Sequence, residues 1–409
     1  VNSSSAVIVF AYYYPPENTS GAARPERFVK YLKRLGARAF VVSAGDCGRG
    51  GLASPDGCVR VPDGKAPAGV ERRSHAAFWF QRIFLPYQEH LPWLPFAAEA
   101  AERILAEHPG AALYSTSPPV VTHLAARRLA RRHGLRWVAD FRDPLVGNPF
   151  RASRRARLYD PLLQRAIFED ASAVVGNTEA ACELWRKTFP RWREKFHTIW
   201  NGFDPEQEIP APAGRRGTRR VLAHIGSLYG DRHPKQVLDS VARLIASGRL
   251  DPAAFQVRLV GPMEGLTVSL EEPPFRTLRE MGCLEADGRT VPREEAAQAM
   301  ADADYLLLLD LNADNSGLQV PAKIFDYLRT GRPVLACTAR GSSVSHILDH
   351  AGVPNCRLYP GEPAAVVDEK LAGFLCAGSG PYEASEWFQR SFNALDQTRA
   401  LGALLGLGV

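Results

Sequence analysis

Short apolar runs alternate with amphipathic stretches along most of the chain. Runs of this kind bounded by turn residues read as buried strands, and the stretches of ten to fifteen residues between them as helices. Strands are expected at 6–11, 39–43, 113–115, 137–139, 173–176 and 197–200, with helices over 25–35 and 118–133. Pro118 and Pro119 open the second helix, because proline suits a first helical turn. Residues 45–70 are rich in Gly and Pro and read as an irregular excursion. Residues 205–220, PEQEIPAPAGRRGTRR, have little to bury and read as a linker. The pattern then restarts, with strands at 221–225, 256–260, 305–309 and 333–336 and helices at 234–248, 294–301 and 321–330.

Strand–helix alternation on this spacing is a parallel α/β pattern, here repeated in tandem. Open parallel sheets bind ligands beyond the carboxyl ends of their strands. Two such domains facing each other across a cleft would hold two ligands, which suggests transfer between them. The 409 residues suit two or three domains. With 45% hydrophobic and 23% charged residues, disorder as the main state is excluded.

Charge divides the halves. Residues 1–205 carry 29 basic and 19 acidic groups, and the remainder 21 and 25. A basic front half suits a membrane surface, a nucleic acid or an anionic substrate. Nucleic acid has no further support, since the arginine runs are not interleaved with stacking aromatics. Seven dispersed cysteines without CxxC read as reduced thiols, and hence as a cytoplasmic protein. Residues 1–10 read as a strand rather than a signal peptide, and no uninterrupted apolar stretch is long enough to span a bilayer. Residues 76–96 (AAFWFQRIFLPYQEHLPWLPF) hold seven aromatics broken by three prolines. They suit either shallow contact with an anionic membrane or a plug beneath the first domain.

The candidate chemistry lies at strand ends. The loop containing Asn18, Gly21 and Arg24 joins a strand to a helix, and Gly21 permits close approach of a ligand. Ser115, Thr116 and Ser117 can bind a polyhydroxylated ligand or cap the next helix. Asp140, Arg142 and Asp143 follow another strand. The acids can orient a hydroxyl, and Arg142 can bind phosphate or lock the acids. Thr178 is a helix-cap candidate, and Asn201 to Asp204 a hinge candidate. In the second half, Ser227 and Arg232 follow a strand, and Val291 lies in a loop that could read a nucleobase. Gly317 and Leu318 offer amides to a pyrophosphate, with Lys323 as a point charge. Asp326 either clamps a ribose or pairs with Lys323 three residues back. Five of the ten histidines (123, 133, 224, 233 and 346) are scattered, the sequence has no HExxH or zinc spacing, and each reads as packed or solvated.

Taken in order, these segments resemble glycosyltransferase family 4. YYYPPENTSGAARPERFVKYLKRLGARAFVVS is similar to the family's N-terminal loop and helix, and YSTSPPVVTHLAARRLARRHGLRWVADFRDP to the centre of the first domain. IGSLYGDRHPKQVLDS and VPAKIFDYLRTGRPVLA are similar to donor-site segments, and NGFD to the end of the first domain.

The resemblance implies a GT-B fold and a retaining, metal-independent transferase. An acceptor domain would span 1–205 and a nucleotide-sugar domain 206–385, with a tail at 386–409 packing back on the first. It implies that Arg232 and Lys323 act at the leaving phosphate, with Asp143 a further catalytic-site residue on the acceptor side. Gly21, Ser227, Val291, Gly317, Leu318 and Asp326 would serve the donor, and Asn18, Ser117, Asp140 and Arg142 the acceptor. The donor would be a UDP-sugar ahead of a GDP-sugar. The acceptor would be a glycan, a lipid-linked molecule or a small molecule, reached at the inner face of the cell membrane. Ser227 stands where the family often has a basic residue, and Leu318 and Asp326 where it has a Glu-x7-Glu pair. Thr116 and Ser117 stand near the place of a frequent family histidine. The alternatives are a GT-B nucleotide-sugar epimerase and a non-catalytic sugar-binding protein.

Overall fold

The computed structural model describes residues 6–17, 21–45, 57–63, 90–148, 154–213, 219–310 and 316–408. The chain divides into two compact units, Val1–Asp204 with Asn393–Val409, and Pro205–Phe392.

The first unit is built on seven strands: β1 (Ala6–Phe10), β2 (Arg38–Ala44), β3 (Cys58–Val61), β4 (Ala112–Ser117), β5 (Trp137–Phe141), β6 (Ala173–Gly176) and β7 (Phe196–Thr198). Their order is β3-β2-β1-β4-β5-β6-β7, and every pairing is parallel. The helices are α1 (Ala23–Arg34), α2 (Trp93–Glu107), α3 (Val121–His133), α4 (Arg154–Asp170) and α5 (Glu179–Thr188). A sheet covered on both faces needs strands apolar on both sides, which is why β1 reads AVIVF and is buried throughout. The chain reverses its direction of travel across the sheet between β1 and β4. The loops after those strands therefore open the crevice where a ligand would enter.

The second unit has β8 (Arg220–Ile225), β9 (Leu228–Gly230), β10 (Phe255–Val260), β11 (Met263–Leu266), β12 (Leu284–Asp287), β13 (Tyr305–Leu309), β14 (Val334–Cys337) and β15 (Asn355–Leu358). Six form a sheet ordered β12-β10-β8-β13-β14-β15, while β9 and β11 pair separately. Its helices are α6 (Lys235–Ala246), α7 (Phe275–Glu280), α8 (Arg293–Asp302), α9 (Lys323–Arg329), α10 (Ser343–His350), α11 (Ala364–Cys376) and α12 (Glu386–Ser391). Here the switch falls between β8 and β13. The fully buried run YLLLL makes β13 a central strand.

Several expectations are corrected. The segment 45–70 is not wholly irregular, because β3 lies within it and pairs with β2 through Cys58 to Val61. The strands β12 and β15 were unannounced because edge strands carry exposed or half-buried residues and lack a continuous apolar run. Of 76–96, only 90–96 fall among the described residues. There Trp93 is fully buried and stacks edge-on to Tyr12 at 5.5 Å, while Phe96 is 40% exposed.

The tail from residue 386 divides. Helix α12 packs on α10 in the second unit, with Trp387 and His350 rings 5.2 Å apart. The last helix, α13 (Ala394–Leu405), packs on α1, and its Leu401 and Leu405 join the first unit's core.

Candidate active site

In the second unit the site grows from the loops after β8 and β13. Gly226 ends β8 with φ +127°, and Gly261 ends the neighbouring β10 with the same φ. Neither position tolerates a side chain. A Cβ on Gly226 would lie 2.6 Å from Lys323 Nζ, and one on Gly261 would lie 2.8 Å from the Gly226 carbonyl. The glycines let the Lys323 ammonium rest on bare backbone. Tyr327, one turn along α9, pins that helix to the same strand: its hydroxyl accepts from Ile225 N at 2.8 Å.

Lys323 Nζ lies 3.2 Å from His224 Nε2. Burial, and then the nearby charge of Arg232, push the Lys323 pKa down to about 7. Arg232 lies over the Tyr229 ring at 4.9 Å and donates from Nη1 to the Tyr229 hydroxyl at 2.8 Å. Its Nε is buried with no partner among the described residues. No carboxylate among the described residues pairs with either cation. Two adjacent, unneutralised and partly desolvated cations favour an anion strongly, because each is left with an electrostatic cost that a bound anion relieves.

Lys323 turns to His224 rather than to Asp326, so the surface-pair alternative does not form; Asp326 is half-buried in the first turn of α9. The Gly317 carbonyl accepts from Ser343 Oγ at 2.8 Å, which ties the loop to the start of α10. Leu318 is buried. The Ser227 side chain is exposed and Val291 is half-buried. Near Val291, Glu295 is held by Arg289, with Nη1 to Oε2 at 3.0 Å.

Two features here escaped the sequence reading. Gln319 Nε2 is buried without a partner among the described residues. The buried carboxylate of Asp310, directly after β13, accepts from Thr338 Oγ1 at 2.8 Å, and Thr338 meets Ser342 Oγ at 2.8 Å. A charged residue ending an apolar run was the available signal for Asp310.

In the first unit Arg142 gathers the predicted residues. It donates from Nη1 to the Gly21 carbonyl at 2.7 Å, from Nε to the Ser117 carbonyl at 3.2 Å, and from Nη2 to the Pro118 carbonyl. Arg142 therefore locks two loops together rather than locking the acids. Burial lowers its pKa, and the neighbouring Asp143 works against that. Gly21 is needed here for packing: a Cβ would stand 3.0 Å from Arg142 Nη1. Ser117 is 1% exposed, and its hydroxyl has no partner among the described residues. Asn18 lies outside the described residues.

Asp140 is not presented to a ligand. It is fully buried and accepts from Arg24 Nε and Nη2, from the Tyr114 hydroxyl at 2.6 Å and from Thr116 Oγ1 at 2.9 Å. Burial alone would raise its pKa, but the Arg24 charge and these hydrogen bonds override that and hold it below the ordinary value. The buried ion pair of Asp140 is thus with Arg24 and not with Arg142. His123 is also buried, with Nδ1 2.8 Å from Ser115 Oγ, and desolvation pushes its pKa down to about 3. Thr178 caps α5 by accepting from Ala181 N at 3.2 Å. Among the described residues no group of three or more His, Cys, Asp or Glu could hold a metal ion.

Comparison with known proteins now bears on this geometry. Residues 21–202 match the model of the glycosyl transferase 4-like domain. No curated protein matches the sequence. Among solved structures, HepE of Anabaena in complex with UDP and glucose superposes with TM-score 0.61 at 14% identity, covering 98% of this chain and 99% of that one. The E. coli trehalose-6-phosphate protein bound with UDP-2-fluoro glucose gives TM-score 0.63 at 11% identity, covering 99% of each chain. Sucrose-phosphate synthase from Thermosynechococcus elongatus gives 0.60 at 12%, covering 98% and 96%.

The fold, two Rossmann-like parallel-sheet units, is therefore GT-B. Residues 21–202 therefore match a glycosyl transferase 4-like domain, and the chain as a whole is similar in fold to GT-B enzymes that pass a sugar from a nucleotide-sugar donor to an acceptor hydroxyl.

Proposed function

We propose that the chain is a retaining transferase that uses a UDP-sugar, with the diphosphate held in the second unit by Lys323 and Arg232. The observation that carries this is the pair of cations seated at the β8/β13 switch with no carboxylate to neutralise either among the described residues. Glycosyl transfer breaks the bond between the anomeric carbon and the phosphate oxygen while the acceptor oxygen bonds to that carbon. Negative charge grows on the departing diphosphate, and fixed cations in a partly desolvated site stabilise it most at that moment. The acceptor proton passes to a phosphate oxygen on the same face. Asp326 holds the ribose, Gly317 and Leu318 offer amides, and Ser227 and Val291 flank the nucleotide. UDP ranks ahead of GDP because HepE and the E. coli protein are each described with a uridine nucleotide.

The acceptor binds the first unit beside Gly21, Ser117, Arg142 and Asp143, and is a glycan, a lipid-linked molecule or a small molecule. A lipid-linked acceptor fits the basic first half and the aromatic segment 76–96. It also fits α4, whose Leu158 and Leu162 are 63% and 64% exposed among exposed Arg154, Arg157 and Arg165. On this reading the enzyme works at the inner face of the cell membrane. No helix among the described residues is long and apolar enough to cross it.

A thermal-shift screen of nucleotide sugars tests the donor, since a bound ligand stabilises by mass action. UDP-sugars should raise Tm more than GDP-sugars; no shift with any nucleotide would overturn the reading. Flotation with vesicles containing anionic lipid tests the membrane contact, and protein left at the bottom of the gradient would remove it. Turnover that persists in EDTA is expected.

A further inference from the structure

An ammonium on a four-carbon stem helps a diphosphate only if the stem is held in place, because a free lysine samples many rotamers. His224 provides the hold. The imidazole is fully buried within β8, and its Nδ1 lies 2.9 Å from the Leu307 carbonyl of β13. A carbonyl only accepts, so Nδ1 carries the proton and Nε2 is left as a lone-pair acceptor. Nε2 meets Lys323 Nζ at 3.2 Å. A protonated His224 would set N–H against N–H. Burial, and then the Lys323 charge, keep its pKa well below the ordinary histidine value. The β13 carbonyl thus fixes the tautomer, and the tautomer fixes which atom receives the lysine.

We propose that His224 is a positioning residue of the donor site: its neutral ring takes one hydrogen of the Lys323 ammonium and aims the other two at the donor diphosphate. The inference rests on the donor-site reading above. Among the described residues the titratable groups near Lys323 are His224 from β8 and Arg232 from the loop between β9 and α6, with Asp326 and Tyr327 on its own helix.

Calorimetric titration of the full chain with UDP, alongside steady-state kinetics, tests it. His224→Phe keeps a ring and removes the acceptor. His224→Asn can still donate to Leu307 but is too short for Lys323, whereas His224→Gln places an amide oxygen near the old Nε2. Phe and Asn should each weaken UDP about tenfold, the scale of one charge-assisted hydrogen bond, and Gln should recover most of it. Donor KM should rise with acceptor KM unchanged. In a Lys323→Met background, His224→Phe should cost nothing further. Wild-type affinity in both Phe and Asn variants, or an equal loss with and without Lys323, would overturn the proposal. If Lys323→Met itself binds UDP normally, the donor-site reading fails instead.

Discussion

Arg24 grips both carboxylate oxygens of Asp140, Nε to Oδ2 at 2.9 Å and Nη2 to Oδ1 at 2.8 Å. The same guanidinium donates to the carbonyls of Ile199 and Trp200 at 2.8 and 2.6 Å. One side chain therefore joins α1, β5 and the segment leading to Asp204, where Lys30 and Tyr31 add bonds to the Asp204 carboxylate.

Asp140→Asn should act on stability rather than on the reaction. Leaving a buried guanidinium without its counter-charge costs ~3–5 kcal/mol. A large fall in Tm is expected, with wild-type KM values for whatever protein remains folded at low temperature. Because the native Asp140 pKa is depressed, its contribution is present above the unfolded carboxyl pKa and disappears as pH falls through the native one. The variant should therefore show a weaker loss of stability on acidification. An acid-unfolding curve identical to wild type would contradict this.

Asp143→Asn should separate from Asp140→Asn. Asp143 is half-buried beside Arg142 at the strand end, where the acceptor is placed. Transfer should slow more than UDP binding weakens. Equal loss of both would move Asp143 out of the acceptor role.

Lys323→Met should weaken UDP at least tenfold, about 1.4 kcal/mol, with Tm unchanged or higher, because a desolvated ammonium is removed from the fold. Unchanged affinity in calorimetry would deny the phosphate contact.

With its pKa lowered to about 7, Lys323 should make donor binding depend on pH. The diphosphate favours the protonated amine, so above pH 7 binding must draw a proton from solvent and affinity should fall as pH rises. Below about pH 6 the terminal phosphate of UDP itself protonates, a limit that a UDP-sugar lacks. Calorimetry at pH 8 in buffers of different ionisation enthalpy should register proton uptake for wild type and none for Lys323→Met. Uptake that persists in the variant would assign the proton elsewhere.

Gly226→Ala should cost both stability and donor affinity. Its φ of +127° is strained for an alanine, and the methyl would displace the Lys323 ammonium. A loss of ~1–3 kcal/mol is expected from the backbone alone. Gly317→Ala makes the contrast. Among the described residues no atom lies within 4 Å of an added Cβ, so Tm should hold while UDP affinity falls if the amides face the diphosphate.

The tandem α/β architecture was legible in the sequence because runs such as AVIVF and YLLLL are long and bounded. Strand β3 was not, because its four residues lie inside a Gly- and Pro-rich stretch. Position at a strand end drew attention to Arg142 and Asp140, and a Gly loop entering a helix to Lys323, but neither says which way a side chain turns. Asp140 turns inward to Arg24, 116 residues away in sequence. His224 looked like one more packed histidine, because its partner Lys323 lies 99 residues further on. Links of that separation become visible only once β8 and β13 lie side by side.

Helix α13 and the turn after it supply Leu401, Leu405 and Leu407 to a core whose remaining buried members end at Ile199. The first unit is thus completed by residues that are made only after the whole intervening unit. Its open hydrophobic seam must stay soluble while residues 205–392 are made. A version cut at residue 392 would keep that seam exposed, so a fragment of the front half is best built by splicing 393–409 onto residue 204 through a short tether.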